Sequence, residues 1–326
     1  VTGLKETAGL CRDALERCLG AAVPADRILR EVPMSLHTSF RIGGPADYLV
    51  TVESPAELSL VLECCERSGT PFLLLGRGTN ILVRDGGMRG VVLRLAGEFL
   101  DVSYDGPEVE AGAAVPLSEL ARDCGRKGLS GLEFAVGIPG TVGGAVVMNA
   151  GAYEREMRDV VESAVVFRPG GPGRGRPERL SARDLDFGYR TSRPQREGWI
   201  VLSARFGLEP GDPVEIRRRE EDYTERRRAR QPLDLPSAGS AFKRPPGGYA
   251  GTLIEASGCR GLRVGDAQVS ERHAGFVVNL GAATATDVLE LMRRVRDAVY
   301  ERFGVWLEPE IRVVGEDLPD EGDPAL

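Results

Sequence analysis

Leu75-Gly76-Arg77-Gly78-Thr79-Asn80-Ile81-Leu82-Val83 is the stretch on which the reading of the fold turns. A short apolar strand, Phe72 to Leu75, runs straight into it. The glycines let backbone N–H groups approach an anion without a Cβ in the way, and Thr79 and Asn80 add donors. The dinucleotide pattern Gly-x-Gly-x-x-Gly fails at Ile81, and no Gly-Lys-Ser/Thr follows to make a P-loop. A second loop offers the same chemistry: Gly137-Ile138-Pro139-Gly140-Thr141-Val142-Gly143-Gly144-Ala145, leading into Met148-Asn149-Ala150-Gly151. Read singly, each loop is first of all a tight turn. Two of them in one region, without a Rossmann motif, point to a pyrophosphate cradle built another way.

Working outward, hydrophobic periodicity places the surrounding elements. Leu4 to Gly20 reads as an amphipathic helix, Ala46 to Val52 as a strand, and Ser54 to Ser68 as a helix with Ser54 as N-cap. Val91 to Leu95 is a strand, Leu100 to Ala111 β structure, Leu117 to Lys127 a helix and Val160 to Phe167 a strand. Pro169 to Pro177, rich in Gly, Pro and Arg, is a surface hairpin loop. Glu215 to Arg230 is a charged helix, Ala285 to Phe303 an amphipathic one, and Glu310 to Val314 a closing strand. Strands and helices alternate without a regular βαβ repeat, so the fold class is α+β rather than a doubly wound sheet.

At 326 residues the chain has room for two or three cores. A net charge of -7 leaves no basic excess to neutralise phosphates, which argues against a general nucleic-acid binder. No basic-then-apolar leader opens the chain and no apolar run nears the ~20 residues of a bilayer span, so a cytoplasmic protein without membrane insertion is expected. The six cysteines (Cys11, Cys18, Cys64, Cys65, Cys124, Cys259) lack metal-ligand spacing and read as reduced structural thiols. With only His37 and His273 available, no His-rich metal site is expected.

Reactive chemistry concentrates later. Ser237-Ala238-Gly239-Ser240-Ala241-Phe242-Lys243-Arg244-Pro245 sets the small hydroxyl of Ser240 in tight backbone between a glycine and an aromatic. Alone, that is a turn. Its company is a basic cluster upstream (Arg226, Arg227, Arg228, Arg230) and the acidic stretch Leu307-Glu308-Pro309-Glu310 downstream. Hydroxyl, guanidinium and carboxylate are what a site needs to bind an anionic carbonyl compound and deliver one proton to carbon. Asp186-Phe187-Gly188-Tyr189-Arg190 supplies a guanidinium that serves either as a surface ion pair or as a two-bond grip on a carboxylate. Glu and Arg interleave along Arg217 to Arg230, so most of that helix is a solvated, ion-paired face, with only Arg228 or Arg230 at its end placed to reach a phosphate. Glu308 and Glu310, two apart, share one face of a strand whose edge Pro309 marks. His273, before an apolar strand, reads as structural.

These segments, in this order, resemble the UDP-N-acetylenolpyruvoylglucosamine reductase family from about Val32 to Gly315. Matching stretches include Thr38-Ser39-Phe40-Arg41-Ile42-Gly43-Gly44-Pro45-Ala46, Gly76 to Asn80, Gly137 to Gly144 and Asn149-Ala150-Gly151-Ala152-Tyr153. They continue with Phe187 to Arg190, Gly239 to Pro245, His273-Ala274-Gly275-Phe276-Val277-Val278-Asn279 and Leu307 to Glu310. Any one could arise by chance; the ordered set is specific. Cys259 is a mild departure, standing where the family more often has Leu.

The resemblance implies an FAD-binding module of the vanillyl-alcohol-oxidase (PCMH) type in two α+β subdomains, followed by an α+β substrate domain. The divisions expected are 1–97, 98–210 and 211–316, with a disordered acidic tail at 317–326. It implies an NADPH-dependent flavoenzyme that reduces the enolpyruvyl group of UDP-N-acetylglucosamine enolpyruvate to the lactyl ether, giving UDP-N-acetylmuramate for peptidoglycan. By resemblance, non-covalent FAD is held by Arg41, Gly43, Gly76, Arg77, Gly78, Thr79, Asn80, Ile81, Gly137, Pro139, Gly140, Thr141, Gly143, Gly144, Asn149 and Gly151. Ser240 matches the proton donor, and Glu310 and Arg190 match the pair that steadies the enol intermediate. Tyr189, Lys243, Arg244 and Arg230 are assigned to the substrate. Little is inserted between Arg190 and Phe206-Gly207-Leu208, so this is the form without an extra Tyr-bearing loop, and a monomer is expected. Two other readings compete: an oxidase on the same fold with FAD tethered through His37, and a non-catalytic nucleotide-binding module.

Overall fold

Ser54, Thr141 and Thr284 each accept a hydrogen bond from the amide three residues on, and helices begin where those caps stand. The helices are Pro55–Arg67, Val142–Val147 and Ala285–Phe303. The last also carries a reciprocal Thr284/Asp287 capping box and ends at Gly304 in the left-handed region, φ 66°. The structure, a computed structural model, describes residues 2–170 and 175–318, with side chains from residue 12 onward. The centre of the expected hairpin loop, 171–174, and residues 319–326 of the expected tail lie outside the described residues.

The chain gathers into two compact units: Val1–Arg30, Tyr48–Gly76 and Gly90–Glu225 form one, and Glu31–Asp47, Arg77–Arg89 and Arg226–Leu326 the other. The linear division at 97 and 210 differs from this grouping. Segments 31–47 and 77–89 lie early in the chain, yet Ile81–Val83 pairs in parallel with Arg312–Val314 near its end.

The first unit holds two cores. One lies between a four-stranded sheet, ordered Ile28–Pro33, Pro45–Val52, Met88–Leu95, Phe72–Leu74, and the helices Thr2–Ala22 and Pro55–Arg67. Leu15, Leu19, Leu58 and Val61 meet Val50, Val52 and Val91 there, each nearly or fully buried. The other core lies against a five-stranded antiparallel sheet ordered Glu178–Ser181, Val161–Phe167, Ile200–Gly207, Glu108–Gly112, Val102–Asp105. Leu117, Leu120, Val142 and Val146 from the helices Leu117–Arg126 and Val142–Val147 pack into it with Phe206 and Leu132.

One sequence expectation fails in this unit. Cys18 and Cys64 form a disulfide, not two reduced thiols. The first two helices pack so that these Cα atoms stand 5.6 Å apart, within bridging reach, although 46 residues separate them in the chain. Cys65, Cys124 and Cys259 are free and buried. Burial pushes the Cys65 thiol up to about 11 and, with the nearby Asp123 charge, Cys124 up to about 12.

The second unit is a four-stranded antiparallel sheet, ordered Ser237–Ser240, Phe276–Asn279, Ala267–Val269, Arg263–Val264, covered by Ala250–Ala256 and Ala285–Phe303. Val288, Leu291, Met292 and Val295 face Val269, Val277 and Ile254 across one core, which Phe40, Ile42 and Leu82 complete. Asp85 fixes the long helix a second time: its carboxylate accepts from the Ala285 and Thr286 amides at 2.8 and 2.9 Å.

Candidate active site

In the first unit, the second glycine loop runs into the short helix Val142–Val147, capped by Thr141. The loop lies so close to its neighbours that a Cβ on Gly143 would come 2.8 Å from the Ala113 Cβ. The amides of Gly137, Gly140 and Thr141 donate to no group among the described residues. Backbone amides without protein partners are what an anionic group needs. Pro139 and Gly144 are exposed at the rim, and a Cβ on Gly76 would meet the Thr141 Oγ1 at 3.0 Å.

Beyond that helix the structure brings together Asn149 and Gly151, assigned to the cofactor, with Arg190, assigned to the substrate. Asn149 is fully buried; its Nδ2 donates to the Gly188 carbonyl at 2.9 Å and its Oδ1 accepts from the Arg158 amide at 3.0 Å. Arg190, half-buried, donates from its guanidinium to the carbonyls of Asn149 (3.4 Å) and Gly151 (3.1 Å). Ser192 Oγ anchors the same turn on the Val147 carbonyl at 2.8 Å. Asn149 and Arg190 both have left-handed backbone, φ 43° and 54°, as does Arg41 in the second unit at 55°. Such conformations cost non-glycine residues roughly 1–3 kcal/mol and gather at functional sites. Tyr189 is half exposed, with the Arg190 guanidinium 5.2 Å from its ring centre.

In the second unit, the first glycine loop makes a close approach that only glycine permits: Gly78 has φ 61°, and a Cβ there would stand 2.3 Å from the His37 carbonyl oxygen. The Arg77, Gly78 and Thr79 amides donate to no group among the described residues, so this loop also fits an anion. Ser39 braces it: its amide donates to the Gly78 carbonyl at 3.0 Å, and its Oγ to the Ser237 carbonyl at 2.7 Å. Gly43 is held as closely, its would-be Cβ 2.7 Å from the Val83 Cβ, and Ile81 is buried in the parallel pair.

Ser240 ends an irregular edge strand, with a register shift between Ser237 and Ser240 at Gly239, φ 80°. The next residue ties it to the acidic stretch: Ala241 accepts the Glu310 amide at 2.9 Å. The acidic pair does not lie in a strand, as its spacing implied; the strand begins at Arg312. The chain switches partners here, Glu310 N–H turning to Ala241 and Arg312 N–H to the Asn80 carbonyl. Glu308 is exposed and ion-paired with Lys243 at 3.1 Å, whereas Glu310 is half-buried. The Arg244 guanidinium lies 4.0 Å from the Tyr249 ring centre, and Arg230 is exposed at its helix end. His273 is lowered by burial and accepts from the Gly275 amide at 3.1 Å, a structural use.

Ser39, Ser192 and Asp85 were not singled out from the chain. Each acts on a backbone group distant in sequence, Ser39 across 198 residues, so no local pattern marks them.

The comparisons with known proteins agree along nearly the whole chain. Residues 231–314 match the family described as UDP-N-acetylenolpyruvoylglucosamine reductase, C-terminal domain, and residues 46–172 match an FAD binding domain. The chain is similar to a UDP-N-acetylenolpyruvoylglucosamine reductase of Alkaliphilus oremlandii, 48% identical over 92% of this chain and 98% of that one. A second such reductase, from Symbiobacterium thermophilum, is 50% identical over 89% of this chain and 93% of its own. Among solved structures, the Thermus caldophilus UDP-N-acetylenolpyruvylglucosamine reductase superposes with a TM-score of 0.76 at 43% identity, covering 88% of this chain and 98% of that one.

Proposed function

The chain belongs to the UDP-N-acetylenolpyruvoylglucosamine reductase family, an FAD-binding oxidoreductase family of peptidoglycan-precursor synthesis, and we propose how its residues divide that chemistry. Bound FAD would supply the hydride chemistry that links NADPH to the vinyl terminus of the enolpyruvyl ether. The amides of Arg77, Gly78 and Thr79 and of Gly137, Gly140 and Thr141, which have no partner among the described residues, support FAD binding by these two loops, with Arg41, Gly43, Gly76, Asn80, Ile81, Pro139, Gly143, Gly144, Asn149 and Gly151 completing the set. Binding is non-covalent.

Arg190 takes the substrate carboxylate, exchanging carbonyl partners for a charged one, a stronger acceptor. As hydride arrives at the vinyl terminus, negative charge passes into that carboxylate, and Arg190 and Glu310 stabilise it. Ser240 then gives its proton to the adjacent carbon and is reprotonated through a relay, because a serine hydroxyl is a weak acid. Lys243, Arg244, Arg230 and Tyr189 bind the sugar nucleotide, in the form of the enzyme without the Tyr-bearing loop. We assign the two FAD-binding subdomains to 1–97 and 98–210, the substrate domain to 211–316, and a cytoplasmic monomer to the working state. No helix among the described residues is long and apolar enough to cross a membrane.

The observation that carries the acid assignment is the 2.9 Å bond from the Glu310 amide to the Ala241 carbonyl, which joins the carboxyl-bearing residue to the Ser240 segment. The test is anaerobic spectroscopy. Flavin should bleach with NADPH and recolour on adding the enolpyruvyl UDP-sugar. Recolouring by air alone would support an oxidase, and absence of flavin after reconstitution would leave a binding module.

A further inference from the structure

We propose that Asn80 is a positioning residue for the reaction: its side-chain amide holds the main chain of Glu310, and through it the Ser240 segment, in working register. This rests on the roles given above to Glu310 and Ser240. By its place in the glycine loop, Asn80 reads as a cofactor residue. Its Nδ2, however, donates to the Glu310 carbonyl at 3.2 Å, across 230 residues of chain. A carbonyl requires a donor, so the amide nitrogen is the atom that faces it.

The bond sits just outside regular structure. The parallel ladder with Ile81–Val83 begins only at Arg312, whose amide donates to the Asn80 carbonyl at 3.1 Å. Glu310 lies ahead of that ladder, between the isolated Phe242–Pro309 bridge and the strand. Its backbone is held on both sides of its Cα. Its N–H donates to Ala241 at 2.9 Å, and Ala241 in turn donates to Gly275 at 2.8 Å. Its C=O takes the Asn80 amide. Asn80 thereby uses both its backbone and its side chain to set the two residues that bracket Ile311. The side-chain donor restrains the Glu310–Ile311 peptide, and its loss loosens the backbone that stations the Glu310 carboxyl. Misplacing a reacting group by about 1 Å costs on the order of 100-fold in rate.

The test uses the FAD-loaded enzyme and four forms: wild type, Asn80→Asp, Glu310→Gln and the double variant. Asn80→Asp keeps the shape but, when ionised, has no donor. Should it not fold, Asn80→Ala removes the donor without adding charge and carries the same comparison. Both half-reactions are followed anaerobically by stopped flow, and FAD affinity by flavin fluorescence. Expected is a roughly 30- to 100-fold fall in flavin reoxidation by the enolpyruvyl UDP-sugar. The fall in flavin reduction by NADPH should be far smaller, and the double variant no slower than Glu310→Gln alone. Equal losses in both half-reactions, or losses that track weaker FAD binding, overturn the proposal and leave Asn80 a cofactor residue only. Multiplying losses in the double variant overturn it too. If Glu310→Gln itself reoxidises at the wild-type rate, the role given to Glu310 fails, and that outcome is distinct from a failure of Asn80 alone.

Discussion

Ser240 carries a hydroxyl at the end of an edge strand whose register shifts between Ser237 and Ser240, with Gly239 in the left-handed region. If it is the general acid, Ser240→Ala removes the proton donor without disturbing either glycine loop. Flavin reduction by NADPH should stay near normal while reoxidation by substrate falls by about 10²–10⁴-fold, the usual worth of general acid catalysis. Equal losses in both half-reactions would make Ser240 a structural residue. Arg190 and Asn149 show a different residue-scale logic. Their left-handed backbones are tolerated because fixed contacts hold them: Asn149 by Gly188 and Arg158, Arg190 by the Asn149 and Gly151 carbonyls.

Among the elements, the helix Ala285–Phe303 was legible at both bounds from its 3.6-residue apolar stripe, and the structure adds that Thr284 caps it and Gly304 stops it. What the chain did not reveal is its second cap. Asp85, 200 residues upstream, accepts from the first two amides, so Asp85→Ala should destabilise the second unit by about 0.5–2 kcal/mol. Thermal unfolding of the wild type and the variant checks this; an unchanged midpoint would mean the Thr284 cap suffices. The Cys18–Cys64 bridge is the corresponding long-range tie in the first unit. Closing a loop of that length contributes about 2–4 kcal/mol, so Cys18→Ser, or dithiothreitol, should lower the unfolding midpoint by several degrees. Thiol titration of denatured protein should find two fewer reactive groups without reductant than with it. Equal titres would remove the bridge from the working protein.

At the scale of the molecule, stability should respond to acid in a defined direction. Hydrogen bonds from Arg27 hold the Glu57 carboxyl below its ordinary value. Burial pushes Glu133 up, but hydrogen bonds from Ser130 and Gly131 and the Arg219 charge outweigh it, leaving Glu133 lowered. Carboxyls depressed in the folded state add stability that is present above the ordinary carboxylate range and lost as pH falls through their folded values. His273, lowered by burial, acts in the same direction, its contribution beginning to fade once pH drops below its ordinary 6.5. Glu220, raised by burial and by the Glu133 charge, opposes them. Urea midpoints should therefore fall from pH 7 to pH 4, and a midpoint that rose over that span would mean Glu220 dominates.

The chain by itself determined the elements, the α+β class, the two glycine loops and the family, since each rests on local spacing or on an ordered set of short motifs. Helix stripes, caps and glycine turns are short-range physics, written within a few residues of where they act. Tertiary structure alone decided that 77–89 joins the C-terminal unit, that Cys18 meets Cys64, and that the acidic pair precedes its strand. It alone placed the Asn80 amide on the Glu310 carbonyl. These are contacts between backbone groups and side chains tens to hundreds of residues apart. Such contacts leave no periodic trace in a sequence, because any residue can offer the carbonyl or the amide that completes them.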